Sequence, residues 1–207
     1  MKTWHQDLFL DRWSKERPRL LGFEGERESA VAIPLVKTED GPGILFEVRS
    51  SNLLAQPGEI CFPGGGIEGE ESPAEAAVRE CSEELLISAD RIHLLTQLDG
   101  TLGPSGGPMW AFLVRLEDYE GTYSRDEVEE VFSLSFSELL AAEPVMHCVS
   151  MKPVPDDGFL DLIGHAYGWK GRKQSMPFYR FGPHLIWGAT GRILKNFLDR
   201  IRATEDI

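Results

Sequence analysis

The sequence predicts an α/β fold in which strands are interrupted by single helices. Three observations carry that prediction. Short apolar runs bounded by turn residues recur along the chain, a capping box at Ser72 opens an amphipathic helix, and apolar residues at helical spacing close the chain.

Residues 1–13, MKTWHQDLFLDRW, mix charges with Trp4, Leu8, Phe9 and Trp13 and suit an amphipathic helix, with residues 1–28 as helix and lead-in. Residues 30–36, AVAIPLV, read as a strand despite Pro34; the turn EDGPG separates them from a second strand at 44–48, so a hairpin is expected. An irregular connection then runs into Phe62, Pro63 and three glycines, a composition suited to tight turns and close backbone approach. Ser72 and Glu75 form the capping box with Pro73 at the first helical position, which predicts a helix over 73–86. Residues 92–98, 109–116 and 128–134 are further strands, and a short helix over 135–142 stops before Pro144. The loop GTLGPSGGP has the glycines and prolines of a ligand-facing segment. Residues 151–182, rich in Gly and Pro, receive no regular element. From His184 onward Ile186, Trp187, Ile193, Leu194, Phe197, Leu198 and Ile201 predict a closing helix over 184–203. With no repeat or linker in between, residues 1–207 read as one domain.

A formal net charge of −13 opposes binding to nucleic acid or to an anionic membrane. A phosphorylated small molecule is also repelled, unless a metal and a few basic residues reverse the field where it docks. The chain has no apolar run of roughly eighteen residues, so no membrane span is expected and the cytoplasm is the default location. Cys61, Cys81 and Cys148 form no CxxC pair, and their odd number argues against a disulfide framework. The histidines lack HExxH spacing, which speaks against zinc.

The chemistry concentrates in residues 64–87, GGGIEGEESPAEAAVRECSEELLI. Seven glutamates (Glu68, Glu70, Glu71, Glu75, Glu80, Glu83 and Glu84) crowd this stretch and repel one another unless a cation sits among them. Steps of three and four residues put Glu80, Glu83 and Glu84 on one helix face, while Ala74, Ala77, Val78, Cys81 and Leu85 fall mainly on another. Carboxylate oxygens are preferred ligands of Mg²⁺ and Mn²⁺. Arg79, one turn before Glu83, is placed to pair with it or with Glu71 and so fix a ligand's rotamer. Acids on a helix are ordinarily just solvated. The glycine loop, capping box and acidic triad together set this helix apart.

Gly65, five residues, Glu71, seven residues and then Arg79-Glu80-Cys81-Ser82-Glu83-Glu84-Leu85-Leu86-Ile87 resembles the Nudix box, G-x5-E-x7-R-E-U-x-E-E-x-G-U, with U a bulky aliphatic residue. Cys81 stands for an aliphatic residue. Leu86 stands for the glycine that closes the helix in a left-handed turn, so a different helix exit is expected. The resemblance implies an α/β/α sandwich around a mixed β-sheet, a Mg²⁺ or Mn²⁺ cofactor, and hydrolysis of a nucleoside diphosphate linked to another moiety. It further implies Glu80 and Glu84 as principal metal ligands, Glu83 as a further ligand or proton acceptor, and the Gly64 carbonyl as an additional ligand. Arg79 and Glu71 would orient the acids. Water would attack one phosphorus of a pyrophosphate, helped by a metal that lowers its pKa and neutralises phosphoryl charge. The family takes its general base from the box or from a downstream loop; Glu127 and Glu130 in DEVEEVF are the downstream candidates, and both also suit a solvated strand edge.

A second motif bears on substrate. Arg49-Ser50, three residues, Leu54, three residues, Gly58, three residues and Phe62-Pro63-Gly64-Gly65 resembles L-L-T-x-R-S-x3-R-x3-G-x3-F-P-G-G of the coenzyme A pyrophosphatase branch, with Leu54 where a basic residue is usual. The run HLIWGATGRIL is similar to that branch's I-W-G-A-T-A-R-I-L, whereas SGGPMWAFLV matches S-G-x2-V-x-P only loosely, Ala111 replacing the proline. The branch implies coenzyme A or its thioesters as substrate, giving (acyl-)phosphopantetheine and adenosine 3',5'-bisphosphate. Its 3'-phosphate needs cations, and Arg49, Lys152, Arg172, Lys173, Arg180 and Arg192 are available, Arg49 standing out within the matched motif. Phe178, Tyr179, Phe181 and Trp187 suit a core better than adenine stacking. Hydrolysis of ADP-ribose or another nucleoside diphosphate derivative, and a nucleotide-sensing domain without catalysis, are the alternatives. A homodimer is left open.

Overall fold

A computed structural model describes residues 25–164 and 168–205. The expected N-terminal helix lies outside the described residues.

Strands β1 (Ser29–Thr38) and β2 (Gly41–Arg49) form the expected hairpin, paired only where Leu35 meets Ile44 through Thr38 and Gly41. Beyond that point the two strands diverge, and the chain fills the gap. β3 (Ile60–Cys61) pairs with β2, and β4 (Gly64–Gly66) with β1. The glycine loop is thus wedged between two strands. A Cβ on Gly64 would lie 2.3 Å from the Ala30 carbonyl oxygen, so only glycine lets the backbones approach this closely.

After helix α1 (Pro73–Leu85) come β5 (Ile92–Leu102) and β6 (Pro108–Leu116), antiparallel to each other, with β6 parallel to β1. β7 (Val128–Ser135) pairs with the other edge of β2 and runs into the short helix α2 (Phe136–Ala141), opened by a second capping box from Ser135 and Glu138. Parallel and antiparallel pairs share one sheet, which is therefore mixed.

Successive side chains on a strand point to opposite faces, and here both faces are buried. On β1, Ala30 and Ala32 face one cluster with Ala76, Ala77, Cys81 and Leu85 of α1. Val31 and Ile33 face the other, with Ile193, Leu194, Phe197 and Leu198 of the closing helix α4 (Gly188–Glu205). Leu85 and Leu198 are fully buried on opposite sides, and each such burial stabilises by on the order of 1.5–3 kcal/mol. The result is the expected α/β/α sandwich. Small alanines on the α1 side let the acidic helix lie close to the sheet.

The closing helix begins at Gly188 and not at residue 184, because His184–Ile186 is strand β10. It joins β9 (Arg172–Phe181) and β8 (Val145–Met151) in a second, antiparallel sheet, and helix α3 (Asp157–Ile163) lies between β8 and β9 in the chain. Residues 151–182, to which the sequence assigned no element, thus contain regular elements. Tyr179 is core as expected, whereas Trp187 is 39% exposed.

The helix exit departs from expectation too. Leu86 itself adopts the left-handed conformation (φ 50°, ψ 40°), and its N–H donates to the Ser82 carbonyl. A leucine takes the turn that glycine would, at a backbone cost of about 1–2 kcal/mol, with its side chain 60% exposed. Leu86→Gly is expected to raise stability by about 0.5–1 kcal/mol, the relieved strain exceeding glycine's entropy cost. Urea denaturation measures it; a lowered midpoint would mean that the side chain's contacts outweigh the strain.

Candidate active site

The capping box fixes where α1 starts, and hence which glutamates face the glycine loop. Ser72 accepts from the Glu75 N–H, while Glu75 accepts from the Ser72 N–H. One turn later the acids are graded by depth. The Glu83 side chain is 57% exposed, Glu80 is 14% exposed, and Glu84 is buried beneath the loop.

Glu84 Oε2 accepts from the Gly64 N–H at 2.7 Å, tying the loop to the helix. Burial pushes the Glu84 carboxyl well above its usual range, and the nearby Glu47 adds to the shift. Burial likewise raises Glu80. Gly65 makes room for Glu80, since a Cβ there would stand 2.3 Å from its Oε1.

Arg79 organises the outer acids. Its Nε and Nη2 grip Glu71 at 3.1 and 2.8 Å, and Nη2 also reaches the Gly66 carbonyl at 3.1 Å. Nη1 lies 3.0 Å from Glu80 and 3.1 Å from Glu83. Glu71 in turn accepts from the Glu68 N–H at 2.8 Å, and the Arg79 hydrogen bond holds its carboxyl below the usual range. The spacing in the sequence had offered Arg79 a choice between Glu71 and Glu83. It engages both.

The loop ahead of β7 closes over the C-terminal end of α1. The Thr122 hydroxyl donates to the Leu85 carbonyl and the Ser124 N–H to the Glu84 carbonyl, both at 2.7 Å, satisfying two helix-end acceptors. The Ser50 N–H donates to the Glu127 carbonyl at 2.8 Å, which anchors this loop to the end of β2. Glu127 consequently acts electrostatically on Glu47, Glu80 and Glu84. Glu130 instead faces His184, 3.5 Å from its Nε2.

Glu47, on β2, escaped the sequence reading. It is 1% exposed, accepts from the Cys61 thiol at 3.1 Å, and burial pushes its carboxyl up to about 7. The sequence offered only a faint signal, a single acid at the end of the apolar run Ile44-Leu45-Phe46, whose burial on both faces appears only in the fold.

Among the described residues no three His, Cys, Asp or Glu side chains already converge on a point that could hold a metal ion. The donor set nevertheless fits a hard divalent cation. Glu84 and Glu47 are buried carboxylates that repel each other, and Glu47 Oε2 is buried without a hydrogen-bond partner. Arg79 supplies positive charge to Glu80 and Glu83, but among the described residues no cation forms an ion pair with the inner two acids.

From the glycine loop a cavity of about 750 Å³ extends between the main sheet, the second sheet and the start of α4. Arg27, Arg49 and Arg192 line it, with Met176 and Trp187 as apolar wall. Arg49 Nε lies 3.4 Å from the Ala55 carbonyl, and Arg192 Nη2 donates to the Leu102 carbonyl at 2.9 Å. Arg192 Nε is buried with no partner, and Arg172 is close enough to depress the Arg192 pKa further than burial alone does. Leu54, the position where the branch motif has a basic residue, is fully exposed. Phe178 stacks on Trp187 with ring centroids 5.8 Å apart.

The family model for the NUDIX domain matches residues 26–151, well over half of the chain. The chain belongs to the Nudix family. Among curated Nudix hydrolases, an uncharacterized NudL from Enterobacter sp. (strain 638) is 33% identical over 139 residues, covering 65% of this chain and 71% of that protein. The human mitochondrial coenzyme A diphosphatase NUDT8 is 27% identical over 172 residues, covering 80% and 65% respectively. A MutT/nudix family protein from Enterococcus faecalis shares the fold, with a TM-score of 0.51 and 17% identity over 95% of this chain and 70% of that one. The chain is therefore a Nudix hydrolase by family, and Nudix hydrolases generally use divalent metals. No described helix is long and apolar enough to cross a membrane.

Proposed function

We propose that residues 1–207 form one cytoplasmic Nudix domain that hydrolyses the diphosphate of coenzyme A or its thioesters, releasing (acyl-)phosphopantetheine and adenosine 3',5'-bisphosphate. The observation that carries this reading is the pair Arg49 and Arg192. In a chain of net charge −13, both line the cavity beside the glycine loop and direct hydrogen bonds to carbonyls, not to acids. Both belong to the two motifs shared with the coenzyme A pyrophosphatase branch. The name carried by NUDT8 points the same way.

In this reading Glu80 and Glu84, with Glu83, hold Mg²⁺ or Mn²⁺. Once bound, the cation supplies Lewis-acid charge neutralisation at the phosphoryl oxygens and a more acidic water. Arg79 and Glu71 keep the acids in register. Glu83, the most exposed of the three metal-facing acids, and Glu127, over the helix end, are the two proton acceptors the geometry supports. Glu130 belongs to the sheet edge. Arg192, with Arg172 beside it, meets the 3'-phosphate that distinguishes coenzyme A from other adenine dinucleotides.

Incubation with Mg²⁺ and a panel of coenzyme A, dephospho-coenzyme A, ADP-ribose and diadenosine tetraphosphate, scored by product mass, tests the proposal. Coenzyme A is expected to yield phosphopantetheine. A charge-assisted contact of about 1.5–3 kcal/mol means that Arg192→Gln lowers kcat/KM for coenzyme A roughly 10–100-fold. Dephospho-coenzyme A serves as internal control and falls far less. Cleavage of ADP-ribose with no phosphopantetheine from coenzyme A would establish the second reading, which the absence of a basic side chain at Leu54 favours.

A further inference from the structure

Glu47 lies outside the box and is not among the metal ligands assigned from it. It projects from a strand whose neighbours Ile44, Leu45 and Phe46 are buried, and it is 1% exposed itself. Cys61, its register partner on β3, donates a thiol hydrogen bond to Oε1 at 3.1 Å, while Oε2 is buried with no hydrogen-bond partner. A weak S–H donor does not compensate a buried carboxylate, which keeps its charge only with full pairing or a cation and otherwise takes up a proton. A hydrophobic residue here would pack without penalty.

The location gives the missing partner. Apart from the effect of its own burial, Glu47 acts on Glu84 more strongly than any other group. Glu84 uses only Oε2 for the Gly64 N–H, and Cys61, Gly64 and Gly65 all border the cavity at this point. Two buried acids that repel each other thus lie behind the loop residues that border the cavity. The corresponding position of the coenzyme A branch motif, L-L-T-x-R-S, is threonine, so the acid here departs from that motif.

We propose that Glu47 is an additional carboxylate of the metal centre, contributing its unpartnered Oε2 together with Glu84 to a divalent cation. The proposal rests on the metal-dependent reading of the box but not on the identity of the substrate. It is tested without substrate: the full chain, freed of metal with EDTA, is titrated with Mn²⁺ while free Mn²⁺ is read by electron paramagnetic resonance. Glu47→Gln, which keeps shape and an acceptor for Cys61, is expected to weaken Mn²⁺ binding about tenfold or more, or to remove one ion from the stoichiometry. Glu47→Thr, the smaller motif residue, gives the same result and serves if the glutamine variant does not fold. Glu84→Gln is the reference arm. Unchanged affinity and stoichiometry in both Glu47 variants, with Glu84→Gln weakened, would overturn the proposal and leave Glu47 a buried structural acid. Unchanged binding in all three would overturn the metal reading of the box as well.

Discussion

Glu84→Gln is expected to lower kcat by about 10³-fold on whichever pyrophosphate the chain cleaves, equivalent to about 4 kcal/mol of lost transition-state stabilisation. Gln has the same shape and still offers an oxygen to the Gly64 N–H, so the loop and helix remain joined as they are at 2.7 Å. What disappears is a buried negative charge that only a cation makes tolerable. The metal-free variant is therefore expected to be at least as stable as the parent while being far less active. Glu70→Gln, an exposed loop acid, is the control. Turnover by Glu84→Gln within about tenfold of the parent would remove Glu84 from the metal centre, and a loss of folding in the same variant would show that its charge is structural.

How far such a site can be read from sequence depends on where its geometry is encoded. The box helix was legible because every determinant is local: Ser72 with Glu75 sets the start, and steps of three and four set the acidic face. β1, β2, β5, β6 and β7 were legible from apolar runs between turn residues. The second sheet was not. All seven residues of β8 are exposed, so VMHCVSM shows no alternation, and its partner lies far away, Val145 pairing with Phe178. The exit of α1 shows a different limit, because Leu86 takes a left-handed turn that its residue type argues against. Glu47 shows a third. The Cys61 register and the approach of Glu84 are tertiary, and a lone acid in ILFEV reads as a solvent-facing position until both faces of the strand are known to be covered.

Chelating the metal is expected to cost much more stability at pH 8 than at pH 5. Burial, opposed only in part by the Cys61 thiol and Arg49, holds the Glu47 carboxyl at about 7 in the folded chain, and Glu84 is pushed well up by burial and by Glu47. An unfolded glutamate titrates near 4.3. Between these values the folded, metal-free chain binds more protons than the unfolded one. The sign follows: the stabilisation is fully present below about pH 4.3 and is lost as pH rises through about 7. For Glu47 the loss is on the order of 3 kcal/mol, and Glu84 adds to it in the same direction. That corresponds to a fall in Tm of roughly 6–12 °C for a chain of this size. A divalent cation reverses it, since at about 100 times its Kd it returns about 2.7 kcal/mol. Thermal scans from pH 5 to 8 in EDTA and in saturating Mn²⁺ separate the two curves. Other acids also titrate in this range and add to self-repulsion, so the decisive comparison is Glu47→Gln, whose EDTA curve should be flatter than the parent's. Parallel curves for the two proteins would mean that Glu47 ionises without penalty, and the buried pair would not be what draws a cation into the box.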